Sequence, residues 1–251
     1  MQMPRLINRK AIVTGGGAGI GRAIALAFAA EGAEVAVWDI DLQTAERTAH
    51  HLRKMHRAAI ALAVDVAEPQ HVANAFRETI QTFEFVDILV NNAGICPTTP
   101  ITEITPQEWD RVMAVNLKGA FLCCQSVIGI MKACRRGWIV NISSAAGKSG
   151  GHTVGAHYSA SKAGIICLTK SLAREMAPYG VHVNAIAPGP VDTDMVQRNT
   201  GGDLTHFKSV VPLGRLAKPE EIASAALFLC SSDSSYMTGA TIDVNGGQLM
   251  D

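Results

Sequence analysis

Apolar and polar positions follow two rhythms along this chain. Short runs of β-branched and small apolar residues, each stopped by glycine or a polar turn, alternate with longer stretches whose apolar residues recur at helical spacing. Lys10 to Thr14 is such a run, stopped by Gly15-Gly16-Gly17, and Ile20 to Ala30 then takes up the helical period. Glu34 to Asp39 predicts a second strand, and Leu42 to Arg57 a helix carrying Glu46, Arg47, Arg53 and Lys54 outward. Ala59 to Val64 and Val86 to Val90 predict buried strands, separated by a helix from about Pro69, a residue suited to a first helical turn. Pro106 to Met131 predicts a long helix, Trp138 to Ile142 a fifth strand, and Ala156 to Ala177 a second long helix ended by Pro178 and Gly180. Val181 to Ala187 supplies a sixth strand. After Pro188-Gly189-Pro190 the pattern is irregular to about Leu216, and a helix from Pro219 to Leu229 and a strand from Ala240 to Val244 follow.

Near-continuous apolar strands, each followed by a helix, are what a parallel sheet covered on both faces requires. The expected fold class is α/β: one Rossmann-like doubly wound parallel sheet of about seven strands, in a single domain over residues 1–251. Such a sheet binds its ligands at the carboxyl ends of the strands, where Gly15, Asp39, Asn91, Ser144 and Pro188 fall.

Composition narrows the partners. Lys plus Arg equals Asp plus Glu at 22 each, interspersed, which leaves no basic footprint for nucleic acid or an anionic membrane. No uninterrupted apolar run approaches the roughly 18 residues of a membrane span, and Met1 to Arg5 lacks a signal-peptide core. The expectation is a soluble, cytoplasmic protein with neither nucleic acid nor membrane as partner. Six cysteines without C-x-x-C argue against a disulfide framework, and eight histidines without H-E-x-x-H or zinc-spaced Cys/His pairs argue against a metal.

Two stretches carry candidate chemistry. Thr14 to Gly21 lies between a strand and a helix and places glycines as G-x-x-x-G-x-G, which permits a tight turn and close approach of a pyrophosphate to a helix N-terminus. Asp39 closes the second strand eighteen residues beyond Gly21, where an acid reads the ribose 2′-hydroxyl and repels a 2′-phosphate. With no basic residue between Thr14 and Gly21 or between Asp39 and Gln43, the cofactor expected is NAD rather than NADP. In the second stretch, Tyr158-Ser159-Ala160-Ser161-Lys162, a phenol and an ammonium share a helix face. A nearby positive charge favours phenolate, and such a tyrosine can trade a proton with an alcohol near neutral pH.

Together these residues make the chain resemble the classical short-chain dehydrogenase/reductase family from about Lys10 to Gly247. The other marks are Asp65-Val66, Asn91-Asn92-Ala93-Gly94, Asn116, Asn141-Ile142-Ser143-Ser144 and Pro188 to Thr193. The resemblance implies a catalytic set of Tyr158 as acid/base, Ser144 holding the substrate oxygen in preference to Ser143, Lys162 on the nicotinamide ribose, and Asn116 holding a water. It implies cofactor contacts from Gly15, Gly17, Gly19, Ile20, Gly21, Asp39, Asp65, Val66, Asn92, Ala93, Gly94, Tyr158, Lys162, Pro188, Gly189, Val191 and Thr193. Glu84 stands where many members have glycine, and Ala18 where NADPH-using 3-oxoacyl reductases often carry arginine.

The leading expectation is an NAD-dependent enzyme interconverting a small-molecule secondary alcohol, polyol or hydroxy acid and its ketone. The alternatives are a 3-oxoacyl-thioester reductase and a non-catalytic nucleotide sensor. Ile95 to Pro97, Ala145 to Val154 and the segment after Thr193 should form the substrate pocket, with Lys148 and His152 as candidates for an anionic substrate. The segment from about 191 to 216 is long for a connection and predicts a lid. The resemblance implies a homo-oligomer, a tetramer. Ala114, Val115, Phe121, Leu122, Ile165, Cys167 and Leu168 on the long helices cannot all face one sheet.

Overall fold

The computed structural model describes residues 4–151 and 153–250, with the side chains of residues 200 and 206–208 outside that description. His152 and Phe207 therefore lie beyond it as side chains. Seven strands, β1 (Lys10–Thr14), β2 (Glu34–Asp39), β3 (Ala59–Ala63), β4 (Ile88–Asn91), β5 (Gly137–Ile142), β6 (Val181–Pro188) and β7 (Thr241–Val244), form one sheet. Their order is β3-β2-β1-β4-β5-β6-β7 and every pairing is parallel. The order reverses between β1 and β4, which opens a crevice at their carboxyl ends.

Side-chain alternation along the strands feeds two cores. Val13, Val35, Val37, Val90 and Ile186 pack with Ile24, Phe28, Leu52 and Ile222 from helices α1 (Gly19–Ala30), α2 (Leu42–Lys54) and one near the C-terminus, Pro219–Leu229. Ile12, Trp38, Leu89, Ile139 and Val183 point the other way, against α3 (Pro69–Phe83) and the long helices of the chain's middle. Each fully buried aliphatic or aromatic side chain contributes about 1.5–3 kcal/mol, so both faces of the sheet are strongly committed.

The predicted Pro106 helix is continuous but not uniform: α4 (Pro106–Met113) runs through a π-helical turn at Ala114–Lys118 into α5 (Gly119–Cys134). Within this turn the Asn116 side chain is tied sideways to the loop after β4, its Oδ1 accepting from Ile95 N at 2.9 Å and its Nδ2 donating to Ile95 O at 2.9 Å. This 29-residue stretch is long and apolar enough, by length and composition, to cross a membrane, contrary to the expectation from uninterrupted runs. In the fold it covers the sheet, burying Val112, Val115, Cys123, Val127 and Met131. Asn116, Lys118 and Gln125 break the run in sequence, which is why run length missed it.

The remaining helices are α6 (Ala146–Ser149), α7 (Ala156–Met176), α8 (Asp194–Thr200), α9 (Thr205–Val210) and α10 (Pro219–Leu229). Two of them occupy the stretch the sequence left irregular. At the amino ends of the strands, buried Asp87 accepts from Lys10 N at 2.9 Å and pairs with Arg9 and Arg136 at 3.0 and 2.7 Å, which closes that end. Glu84 ends α3 at φ +65°, where the glycine common to the family escapes a Cβ penalty of about 1–2 kcal/mol. All six cysteines are free thiols.

Candidate active site

The Gly-rich turn between β1 and α1 is shaped by what surrounds it. A Cβ on Gly21 would fall 2.1 Å from Gly15 O and 2.5 Å from Asn92 Nδ2, and one on Gly17 would fall 2.3 Å from Thr44 Oγ1. Gly15 itself has φ +61°. Asn92 holds the turn rather than projecting from it, since its Nδ2 donates to Thr14 O and Gly15 O at 3.0 and 3.1 Å. Ala93 N donates to Thr14 Oγ1 at 3.0 Å.

Asp39 sits at the edge of the same turn, its Oδ2 accepting from Gly17 N at 2.9 Å and its Oδ1 from Asp41 N at 3.1 Å. Helix α1 begins with no side-chain cap and no acid in its first turn, whereas Asp41 caps α2 and Thr105 caps α4. An uncapped N-terminus behind a glycine cradle, with a carboxylate at its rim, fits the pyrophosphate and ribose of a dinucleotide.

The outer cofactor residues are less uniform. Val66 is buried, 2.7 Å from where a Cβ on Gly119 would stand. Asp65 carries both its own turn, accepting from Ala67 N at 2.9 Å, and an ion pair with Arg111 of α4 at 3.2 Å, so it forms a wall joined to α4. Gly94 is next to the catalytic stretch: a Cβ there would lie 3.2 Å from Asn116 Oδ1 and 3.5 Å from Lys162 Nζ. Pro188 ends β6, Gly189 leaves no room for a side chain against Asn245, and Val191 is buried in a bridge to Ala217. Thr193 caps α8 and lies 3.4 Å from the Cβ position of Gly19, so the predicted lid starts against the glycine turn, with half-buried Ile20 beside it.

Tyr158, Ser144 and Lys162 converge. Lys162 is 5% exposed, donates to Ile142 O at 2.8 Å, and stands 5.8 Å from the Tyr158 ring centre. Burial pushes its ammonium down to about 8. The Tyr158 phenol is held above its ordinary value by burial first, and by the neighbouring Cys96 thiol, while Ser144 pulls the other way. Burial, and not the lysine charge, is the largest influence on this phenol. A phenol in that state is a proton donor, and a further positive charge in the same cleft would make it a base.

Ser143 is buried with its hydroxyl donating to Lys162 O at 2.8 Å, so Ser144 is the serine that faces Tyr158. Behind Lys162 a cavity of about 10 Å³ is lined by Asn91, Asn116 and Lys162, which is room for about one water. Lys148 pairs with Asp243 at 2.5 Å.

Three participants had no signal in the sequence beyond their loop or neighbour. Cys96 faces Tyr158 and Lys162, and burial pushes its thiol up to about 11. Asn199 of α8 donates to Cys96 O at 2.7 Å. His157, beside Tyr158, contacts Glu108 Oε1 at 3.1 Å.

Comparison with known proteins places this architecture. Residues 15–248 match a family model described as Enoyl-(Acyl carrier protein) reductase. A 3-oxoacyl-[acyl-carrier-protein] reductase of Chlamydia trachomatis is 40% identical over 96% of this chain and 98% of its own length. An uncharacterized oxidoreductase of Mycobacterium bovis is 41% identical over 99% of this chain and 100% of its own length. Among solved structures, a 3-oxoacyl-[acyl-carrier protein] reductase of Brucella melitensis with bound NAD superposes with a TM-score of 0.90 at 39% identity, covering 98% of this chain and 95% of its own. Levodione reductase superposes with a TM-score of 0.93 at 32% identity, covering 97% and 98%. The chain belongs to the short-chain dehydrogenase/reductase family and is an oxidoreductase acting on a CH–OH group.

Proposed function

We propose that the chain is an NAD(H)-linked 3-oxoacyl-thioester reductase in which Tyr158 exchanges a proton with the substrate oxygen. The observation that carries the chemistry is the convergence of the Tyr158 and Ser144 hydroxyls, backed by Lys162, beside the glycine cradle. NAD(H), when bound, supplies or accepts the hydride. Ser144 holds the carbonyl oxygen, and Tyr158, kept protonated by burial, donates to it as the alcohol forms. Lys162 and Asn116 border the one-water cavity from which the phenol recovers its proton.

The thioester ranks above the free alcohol, polyol or hydroxy acid first expected because near-full-length relatives at 38–40% identity are reductases of that kind. NAD(H) rests on Asp39, which stands where a 2′-phosphate would meet its charge, and on Ala18 in the turn. A second reading, oxidation of a free secondary alcohol, is favoured by Ala18, which stands where NADPH-using 3-oxoacyl reductases often carry arginine. Steady-state rates with NADH or NADPH and an acetoacetyl thioester, set beside NAD with a panel of free alcohols and polyols, decide. Turnover of the thioester with NADH as the better donor is expected, and activity confined to the panel overturns the thioester reading.

The catalytic unit is the single domain with its lid at about 191–216, assembled as a homotetramer. Trp109 and Phe121, 41% and 44% exposed on α4 and α5, and exposed Cys167 on α7 are the surplus that a second copy would cover. Light scattering at micromolar concentration should return four chain masses, and a monomer mass refutes this.

A further inference from the structure

The turn into α7 is built around an imidazole. His157 is 0% exposed, and a Cβ on Gly155 would fall 2.3 Å from its Cε1 and 2.5 Å from its Nδ1, so only glycine fits there. Nε2 lies 3.1 Å from Glu108 Oε1, the same oxygen that accepts from Thr99 Oγ1 at 2.7 Å. Trp109 stacks on the ring with centres 6.4 Å apart and planes 20° from parallel. With a carboxylate at Nε2, that nitrogen carries a proton, and Nδ1 is buried without a hydrogen-bond partner among the described residues. A ring kept at the expense of an unmet polar nitrogen is poor core material, since an apolar side chain would fill the space without it.

What the ring connects gives it a use. The loop from Ile95 to Thr99 is fixed at one end by Asn116, which exchanges two bonds with Ile95. At the other end Thr99 is held by Glu108, and Gly155 N donates to Pro97 O at 3.0 Å in between. Cys96, inside this span, is the residue of the loop that faces the Tyr158 hydroxyl.

We propose that His157 is a positioning residue for the reaction: through Glu108 it locks the Thr99 end of this loop to the first turn of α7, and so sets the spacing between Cys96, Tyr158 and Ser144 in which the substrate oxygen is held. The inference rests on Tyr158 as the proton-transfer group.

His157→Phe keeps the stack on Trp109 and removes both ring nitrogens. It should lower kcat by about tenfold or more, the scale of a slightly misplaced reacting group, with KM for NADH within about twofold. Melting temperature should be maintained. His157→Gln, whose amide reaches Glu108, should recover kcat to within about threefold of the parent. Glu108→Ala should reproduce the loss, and the double variant should be no worse than either single one, as for two residues acting through one bond. In cofactor-free protein, hydrogen exchange over residues 95–100 should accelerate in His157→Phe and Glu108→Ala but not in His157→Gln.

Parent-like kcat in both His157→Phe and Glu108→Ala overturns the proposal, as does a His157→Gln variant as impaired as His157→Phe, or losses that multiply in the double variant. If His157→Phe does not fold, Glu108→Ala decides. Near-normal turnover in Tyr158→Phe would instead remove the reading of the site on which this rests, and is distinguishable because it leaves the His157 variants untouched.

Discussion

The two sides of the cleft are held by different means. On the cofactor side the polar groups of the glycine turn hang from the ends of strands and are bonded to a neighbour's backbone: Asn92 to Thr14 O and Gly15 O, Asp39 to Gly17 N. On the substrate side, loops are held by side chains that reach from other loops and helices, as Asn199 does to Cys96 O, Lys148 to Asp243 and Glu108 to Thr99 and His157. The first arrangement is rigid before anything binds, because the sheet fixes the strand ends. The second depends on a few exposed or half-buried bonds, each worth about 0.5–1.5 kcal/mol, and is the side that can move or be re-cut for a new substrate.

The largest expected effect falls where the two sides meet. Tyr158→Phe removes the proton-transfer group with little change of shape and should lower kcat by about 10²–10⁴-fold, while NADH affinity measured by fluorescence titration stays near that of the parent. A parallel loss of affinity would mean that the two sides are not separable at this residue.

Gly21→Ala tests the rigidity of the cofactor side. The new methyl would meet Gly15 O at 2.1 Å, and backbone cannot swing away as a long side chain can. Calorimetric titration should show NADH binding weakened by about a hundredfold, since both the turn and the start of α1 must shift. Binding within about threefold of the parent would show that this side is as adaptable as the other.

Burial of Lys162 gives a pH signature. Its folded value of about 8 lies below the ordinary lysine value of 10.5, so the unfolded chain binds the extra proton between those limits. The burial cost is therefore present below about pH 8 and is relieved as pH rises toward 10.5. Lys162→Met removes the titration: the stability of the parent relative to this variant should increase between pH 8 and 10, by denaturant unfolding. Groups remote from Lys162 cancel in the difference, whereas the Cys96 thiol, which feels the Lys162 charge, does not. In the parent, kcat/KM for NADH should fall above about pH 8 as the ammonium is lost.

The contrast between the sides also explains what was legible in the sequence. Strand runs such as Lys10–Thr14 and Glu34–Asp39 could be read almost to the residue because a two-faced parallel sheet demands unbroken apolar stretches. Gly15, Gly21, Asp39 and Tyr158 were legible because their spacing is set by one turn, one strand or one helix. Cys96, His157, Glu108 and Asn199 were not, since each acts through a contact 49 or more residues away or through a loop whose path no local pattern encodes. The π-helical turn at Asn116, whose side chain is tied to Ile95, escaped likewise. The substrate was less legible: Ala18 put the thioester reading second, whereas near-full-length relatives at 38–40% identity favour it.

The smallest expected effect concerns the segment after Val191. It contains α8 and α9, joined at Gly201 and Gly202, which have φ +60° and +86° and give a hinge that needs no side-chain accommodation. One end rests on the glycine turn through Thr193, and the tip of α8 is tied to the substrate loop by a bond from Asn199 to Cys96 O. Met195 and Val210 remain 38% and 40% exposed, apolar surface that a bound substrate would cover. A lid of this kind excludes water from the reacting atoms when it closes. Asn199→Ala removes one bond of about 1 kcal/mol, so it should raise KM for the substrate by about threefold to fivefold with kcat nearly unchanged. Hydrogen exchange should show residues 191–216 slowed by NADH and substrate together in the parent, and less so in the variant. Exchange there that is the same with and without ligands would mean α8 and α9 are fixed walls, and that the substrate side is as preformed as the cofactor side.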